Sequence, residues 1–142
     1  MSNIVPKPDN IPWVSPYIMV KDVDKAVDFY VKAFNFEVKD VAPGEDGVSV
    51  HAELTYNDQL VMLGKQGAFD GKSAAPATSA VESPISLYAY AENVDEFYNN
   101  ATANHAKGKM PPEDTFWGDR MCQVKDIDGY IWCFATHLNQ HY

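Results

Sequence analysis

SPYIMVKDVDKAVDFYVKAF (residues 15–34) and SPISLYAYAENVDEFYNNAT (residues 83–102) say nearly the same thing. Each is a short apolar run, an acidic or amide residue, Val-Asp, and then an amphipathic stretch. A shift of 71 residues, half the chain, carries Ser15 onto Ser86, Tyr17 onto Tyr88, Val23 onto Val94 and Asp24 onto Asp95. Two copies of one module are implied, with function expected between them.

Working outward from the first copy, Tyr17 to Val20 is β-prone, and the Asp22 carboxylate can accept orphan N–H groups of a following helix. Ala26, Phe29, Tyr30, Ala33 and Phe34 recur at i, i+3, i+4, i+7 and i+8, one apolar helical stripe. APGEDG (42–47) reads as a turn, and 48–54 and 60–63 as strands joined around Asn57-Asp58. The second copy keeps this order. Residues 85–91 read as a strand, Asn93 to Glu96 as a capping box, and Val94, Phe97, Tyr98 and Ala101 as the helix stripe. KGKMPPED (107–114) reads as a turn region, followed by strands 121–125 and 130–135 joined by DIDG (126–129). Between the copies, GKQGAFDGKSAAPATSAVES (64–83) has no sustained period and reads as a mobile linker or lid. The expectation is one α+β domain over 1–142, with module one at 13–63, a linker at 64–83 and module two at 84–137. Each module is β-α-β-β-β, and the two form an open, curved sheet around a groove.

The 142 residues are 46% hydrophobic and 13% aromatic, enough for a packed interior. A formal net charge of -9 argues against a nucleic-acid partner, since phosphate binding needs a basic face. MSNIVPKPDNIPW has no basic n-region followed by an apolar one, and no apolar run reaches membrane-spanning length. Two cysteines do not make a disulfide scaffold. A cytoplasmic protein is expected.

A helix covers only one face of each small sheet, so strand alternation sorts side chains between helix side and groove. Ile18, Val20, Trp132 and Phe134 suit the helix side. That leaves Tyr17, Met19, His51, Glu53, Met62, Tyr88, Tyr90, Cys122 and Cys133 for the groove. Cys122 follows from taking DIDG as a four-residue loop, which sets it opposite Cys133.

PYIMVKDVDKAVDFYVKAF, HAELTYNDQLVML and PPEDTFWGDRMCQVKDIDGYIW resemble the vicinal oxygen chelate superfamily, which includes glyoxalase I, bleomycin-resistance proteins and extradiol dioxygenases. All three look closest to its PhnB-like branch, most specifically the stretch with WGDR ahead of D-x-D-G-x-x-W. The resemblance implies paired β-α-β-β-β modules and a homodimer. In its enzymes it also implies a divalent metal held by ligands on the first and last strands of each module. Those positions hold Ser15, Met62, Ser86 and Cys133, none a standard ligand for a hard Lewis-acidic ion. No metal or other cofactor is therefore expected, unless the chain is an enzyme with non-standard ligands.

Two functions remain open. One is a protein binding a small cationic or aromatic molecule through Tyr17, Tyr88, Tyr90 and Trp117, with His51, Glu53, Cys133 and Arg120 adjoining. The other is a metal-dependent lyase, isomerase or dioxygenase using His51 and Glu53, which share a strand face at i and i+2. Asp119 and Arg120 of WGDR can hold a polar ligand group or fix their own loop. Cys122 and Cys133 can be ligands or small hydrophobes. His137 and His141, at i, i+4, read as an accidental spacing.

Overall fold

The computed structural model describes residues 4–138. Module one runs β1 (Tyr17–Val20), α1 (Val23–Phe34), β2 (Glu37–Pro43), β3 (Ser49–Tyr56) and β4 (Gln59–Lys65). A short helix α2 (Pro76–Ser79) follows. Module two runs β5 (Ser86–Tyr90), α3 (Val94–Ala103), β6 (Lys107–Asp114), β7 (Asp119–Lys125) and β8 (Ile131–His137). Two four-stranded sheets result, ordered β1-β4-β3-β2 and β5-β8-β7-β6. In each, the first strand runs parallel to the last and the other pairs are antiparallel.

Local chemistry sets the helices as the sequence predicts. Asp22 accepts from the Lys25 N–H at 3.0 Å, and Asn93 accepts from the Glu96 N–H at 3.2 Å. Asn35, at φ 60°, ends α1 in the left-handed conformation that asparagine tolerates. The stripe Ala26, Phe29, Tyr30, Ala33 and Phe34 is buried, and so are Ile18, Val20, Trp132 and Phe134. Both modules feed one core. Phe34 of α1 lies 4.8 Å from Phe134, 5.5 Å from Trp132 and 6.1 Å from Phe97 between ring centres.

The repeat is visible in the pairing. Tyr17 faces Met62 and Tyr88 faces Cys133, both pairs related by 71 residues. Between β3 and β7, however, the offset is 70. Glu53 faces Met62, but it is Gln123 that faces Cys133. The cause is hairpin length. Asn57 and Asp58, both at positive φ (46° and 66°), close the first hairpin in two residues. The second uses five, since Lys125 faces Ile131. A one-residue slip turns every side chain over. Cys122 therefore faces Phe134 and is buried on the helix side, not in the groove beside Cys133.

The fifth loop residue, Tyr130, joins the modules. β1 is an edge strand, and the Tyr130 hydroxyl accepts from the Met19 N–H at 3.0 Å and donates to the Met19 carbonyl at 2.8 Å. Asp128 accepts from the Lys21 N–H at 2.9 Å. Buried Asp126 accepts from the Tyr30 hydroxyl, from Trp132 Nε1 at 3.0 Å and from the N–H groups of Asp128 and Tyr130. Unpaired strand edges invite misassociation, and this loop satisfies one.

Two further expectations change. KGKMPPED is strand β6, not a turn. Its prolines cannot donate to a ladder, and the strand accommodates them at the sheet edge beside irregular pairing between Met110 and Glu113. The segment expected to be a mobile linker from Gly64 begins inside β4. It is tied down further on: Gln66 Oε1 accepts from the Ala75 N–H and the Thr78 hydroxyl at 3.0 and 2.8 Å. The Ala77 N–H also reaches the Asp128 carbonyl at 2.9 Å, and Ala75 is fully buried.

Candidate functional site

The predicted site residues gather in two groups, one on each sheet. On module one, Tyr17 of β1 and His51 and Glu53 of β3 share the face away from α1. Tyr17 Oη lies 3.0 Å from His51 Nδ1, and His51 Nε2 lies 3.3 Å from Glu53 Oε2. A carboxylate only accepts, so Nε2 carries the proton and Nδ1 accepts from the tyrosine. That His51 bond, with the Lys39 ammonium 3.4 Å from Oε1, holds the Glu53 carboxyl below its ordinary range against a smaller opposing effect of burial. Met19 and Tyr17 lie across Gly64, where an added Cβ would come within 2.6 and 2.7 Å of them.

Module two is built around a buried carboxylate. Asp119 opens β7 and is only 2% exposed. Its Oδ2 accepts from the hydroxyls of Tyr88 (2.7 Å) and Tyr90 (2.8 Å), both from β5, and Oδ1 lies 3.1 Å from His137 Nδ1 on β8. Burial, the largest influence, pushes this carboxyl up. The hydrogen bonds from Tyr88, His137 and Tyr90 outweigh it and leave the carboxyl below its ordinary range. Burial first, and then the same carboxylate, push the Tyr88 phenol up to about 12.

The loop before β7 is closed by Thr115, whose hydroxyl donates to the Asp119 carbonyl at 2.8 Å, and by Gly118 at φ 91°. It presents Trp117, whose Nε1 donates to the Tyr88 hydroxyl at 3.1 Å. Trp117 also packs against Met121, Cys133 and Ala135. The Tyr88 and Tyr90 rings meet edge to face at 5.7 Å and remain 43% and 53% exposed. Their hydroxyls are engaged by Asp119, and ring area is what they offer.

The other candidates fall differently. Cys133 is buried beneath the tyrosines, 3.6 Å from Gln123 Nε2, and burial pushes its thiol up. Arg120 points to the helix side. Its guanidinium bonds both Asp95 carboxylate oxygens at 2.9 and 3.0 Å and Asp114 at 3.0 Å, so it fixes α3 and β6 to β7. His137 belongs to the site through Asp119, not through its spacing to His141, which lies outside the described residues. The sequence signal that finds it is parity, because His137 shares its face with Cys133 and Ala135 on β8.

Of the clefts where the modules meet, two adjoin the candidate tyrosines. One of about 640 Å³ is lined by Tyr17, Met19, Ile85, Leu87, Tyr130 and part of the 67–74 segment. The other, about 410 Å³, is lined by Tyr88 and Tyr90 together with Tyr56, Leu60, Val61 and Trp132. Both are of ligand-binding size.

The metal implied for enzymes of this kind does not fit the donors present. Ser15, Met62, Ser86 and Cys133 supply two hydroxyls, a thioether and a thiol held in its neutral form. Among the described residues, no group of three or more His, Cys, Asp and Glu is placed to hold a metal ion.

Paired β-α-β-β-β modules with an open, polar-aromatic face on each sheet define a small two-module α+β class of protein. The model of the Glyoxalase/Bleomycin resistance protein/Dioxygenase superfamily matches residues 10–134, and the chain belongs to that superfamily. An uncharacterized protein of Mycobacterium bovis is 37% identical over 131 residues, spanning 91% of this chain and 86% of its own. Among solved structures, TioX from Micromonospora sp. ML1 is 29% identical with a TM-score of 0.70, covering 87% of this chain and 97% of TioX. TnmS3, an antibiotic binding protein from Streptomyces sp. CB03234, shares the fold at 20% identity and a TM-score of 0.64, over 87% of this chain and 93% of its own. A glyoxalase I mutant from Zea mays also shares the fold, at 14% identity and a TM-score of 0.68, over 87% of this chain and 47% of that one. No helix among the described residues is long and apolar enough to cross a membrane.

Proposed function

We propose that this protein binds a small planar molecule on the open face of module two, without a metal or other cofactor, and acts in the cytoplasm as a homodimer of the PhnB-like branch. The observation that carries the reading is the pinning of Tyr88 and Tyr90 by buried Asp119. Burying a charge is costly, and here it holds two rings in place with their faces exposed to solvent. Rings fixed before binding lose little entropy when a ligand stacks on them. Trp117 extends the surface. The fold does not choose between binding and catalysis, since it serves both an antibiotic binding protein and glyoxalase I. The donor set tips the balance toward binding.

Trp117 reports on this surface. Titration with planar aromatic compounds should quench its fluorescence to saturation, and Trp117→Phe should lower the amplitude of the signal while binding by calorimetry persists. Saturable binding that Tyr88→Ala with Tyr90→Ala leaves unchanged would place the ligand elsewhere. A second reading, an enzyme working through module one, draws on the Tyr17, His51 and Glu53 chain of hydrogen bonds. Stoichiometric transition metal in gently purified protein would favour it.

A further inference from the structure

We propose that His137 and Asp119 form a proton-accepting pair that takes the acidic hydroxyl of an aromatic ligand, a phenol or enol, lying against Tyr88 and Tyr90. This rests on the reading that the open face of module two binds a planar molecule, and it names the chemistry that face selects.

The geometry carries the assignment. Asp119 Oδ2 already takes two tyrosine hydroxyls, so the carboxylate acts purely as an acceptor, and the Nδ1 it meets at 3.1 Å carries the proton. The basic lone pair of His137 is then on Nε2. The imidazole is 60% exposed at its side chain, whereas the carboxylate that orients it is 2% exposed. Nε2 has no hydrogen-bond partner among the described residues. Among the described residues, the charged and titratable groups facing His137 are Asp119 from β7 and, through that carboxylate, the phenols of Tyr88 and Tyr90 from β5. Arg120 is on the opposite face, held by Asp95 and Asp114. Among the described residues no cation therefore offsets Asp119, and an imidazolium formed at His137 becomes its counter-ion.

The step balances without another reactant. The ligand O–H bond breaks, the proton joins Nε2, and the electron pair stays on the ligand oxygen. An oxyanion is left hydrogen-bonded to imidazolium, with Nδ1–H still on Asp119. A hydroxyl suits this better than a carboxylic acid. It arrives neutral at a protein of net charge -9 and acquires its negative charge only beside the imidazolium.

4-Nitrophenol, whose absorbance reports ionisation, tests the pair, with 4-nitroanisole as the hydroxyl-free control. Both are titrated into the whole protein at a pH where free nitrophenol is mostly protonated. The expected result is phenolate absorbance from bound nitrophenol. His137→Gln should remove that band and weaken nitrophenol about tenfold more than it weakens nitroanisole, leaving the far-ultraviolet circular dichroism unchanged. Nitrophenol bound without a phenolate band, or with the same band in His137→Gln, overturns the pair and leaves the binding face standing. If neither compound binds, both readings fall.

Discussion

Replacing Asp126 by Asn should change how stability depends on pH, in a direction fixed by burial. Asp126 lies between the modules, bonded to Tyr30, Trp132 and its own loop. Burial pushes its carboxyl up to about 6, against the hydrogen bonds from Tyr30, Tyr130 and Trp132. In the unfolded chain an aspartate ionises near 3.9. Between those two values the folded protein keeps a proton that the unfolded chain has released. The folded state binds more protons there, so this group's contribution to stability is complete below about pH 4 and is lost as pH rises through about 6. A separation of about two units amounts to roughly 3 kcal/mol. The asparagine side chain cannot titrate. It turns an amide toward two of the donors, a cost that does not vary with pH. Urea unfolding of both proteins between pH 4 and 7.5 isolates the effect, because shared titrations cancel in the difference. Wild type should lose roughly 3 kcal/mol relative to Asp126→Asn across that range, most of it below pH 6.5. A difference that stays flat would refute the assignment and show the carboxylate ionised throughout.

Tyr88→Ala with Tyr90→Ala should weaken ligand binding about tenfold or more, since each stacked ring is worth on the order of 1 kcal/mol, while thermal unfolding stays cooperative. Trp132→Ala, which empties a site 3% exposed between Phe34, Phe36, Tyr30 and Phe134, should cost about 3–5 kcal/mol by chemical denaturation. If the double tyrosine variant unfolds and the tryptophan variant stays stable, the faces have been assigned the wrong way round. Gly129→Ala should lower the melting temperature, because Gly129 sits at φ 92° with Ala77 N 2.8 Å from where a Cβ would stand; an unchanged melting curve would mean the 76–79 helix yields freely. Light scattering at micromolar concentration should give twice the chain mass, and a single-chain mass would count against the homodimer.

The repeat and the helices were legible because their signals are local. Asp22 and Asn93 cap within three residues, and the apolar stripe at Ala26 to Phe34 needs no knowledge of its partner. Parity placed Tyr17, Tyr88, Tyr90 and Cys133 correctly, since those strands pair in the 71-residue register. It failed at Cys122 because DIDG does not reveal that Tyr130 also leaves the ladder. Tyr130 does so to bond β1, a contact between residues 111 apart. The order of 64–83 was hidden for a similar reason. Its anchors are Gln66 and Asp128, and nothing in an Ala, Ser and Gly composition announces them. The role of Asp119 is not legible in its own stretch of sequence, because two tyrosines and a histidine converge on it from other strands.

The unequal hairpins also bear on how any ligand is oriented. With the register offset by one, His51 is matched in module two by Met121, and Glu53 by Gln123. Module two carries its ionisable groups at the strand ends instead, in Asp119 and His137. The backbone is thus nearly two-fold while its chemistry is not. A molecule touching both modules, in one chain or across a pair of chains, meets a Glu–His–Tyr row on one side and a carboxylate ringed by aromatics on the other. It has one way round to bind, and a ligand with two identical ends satisfies only one of them.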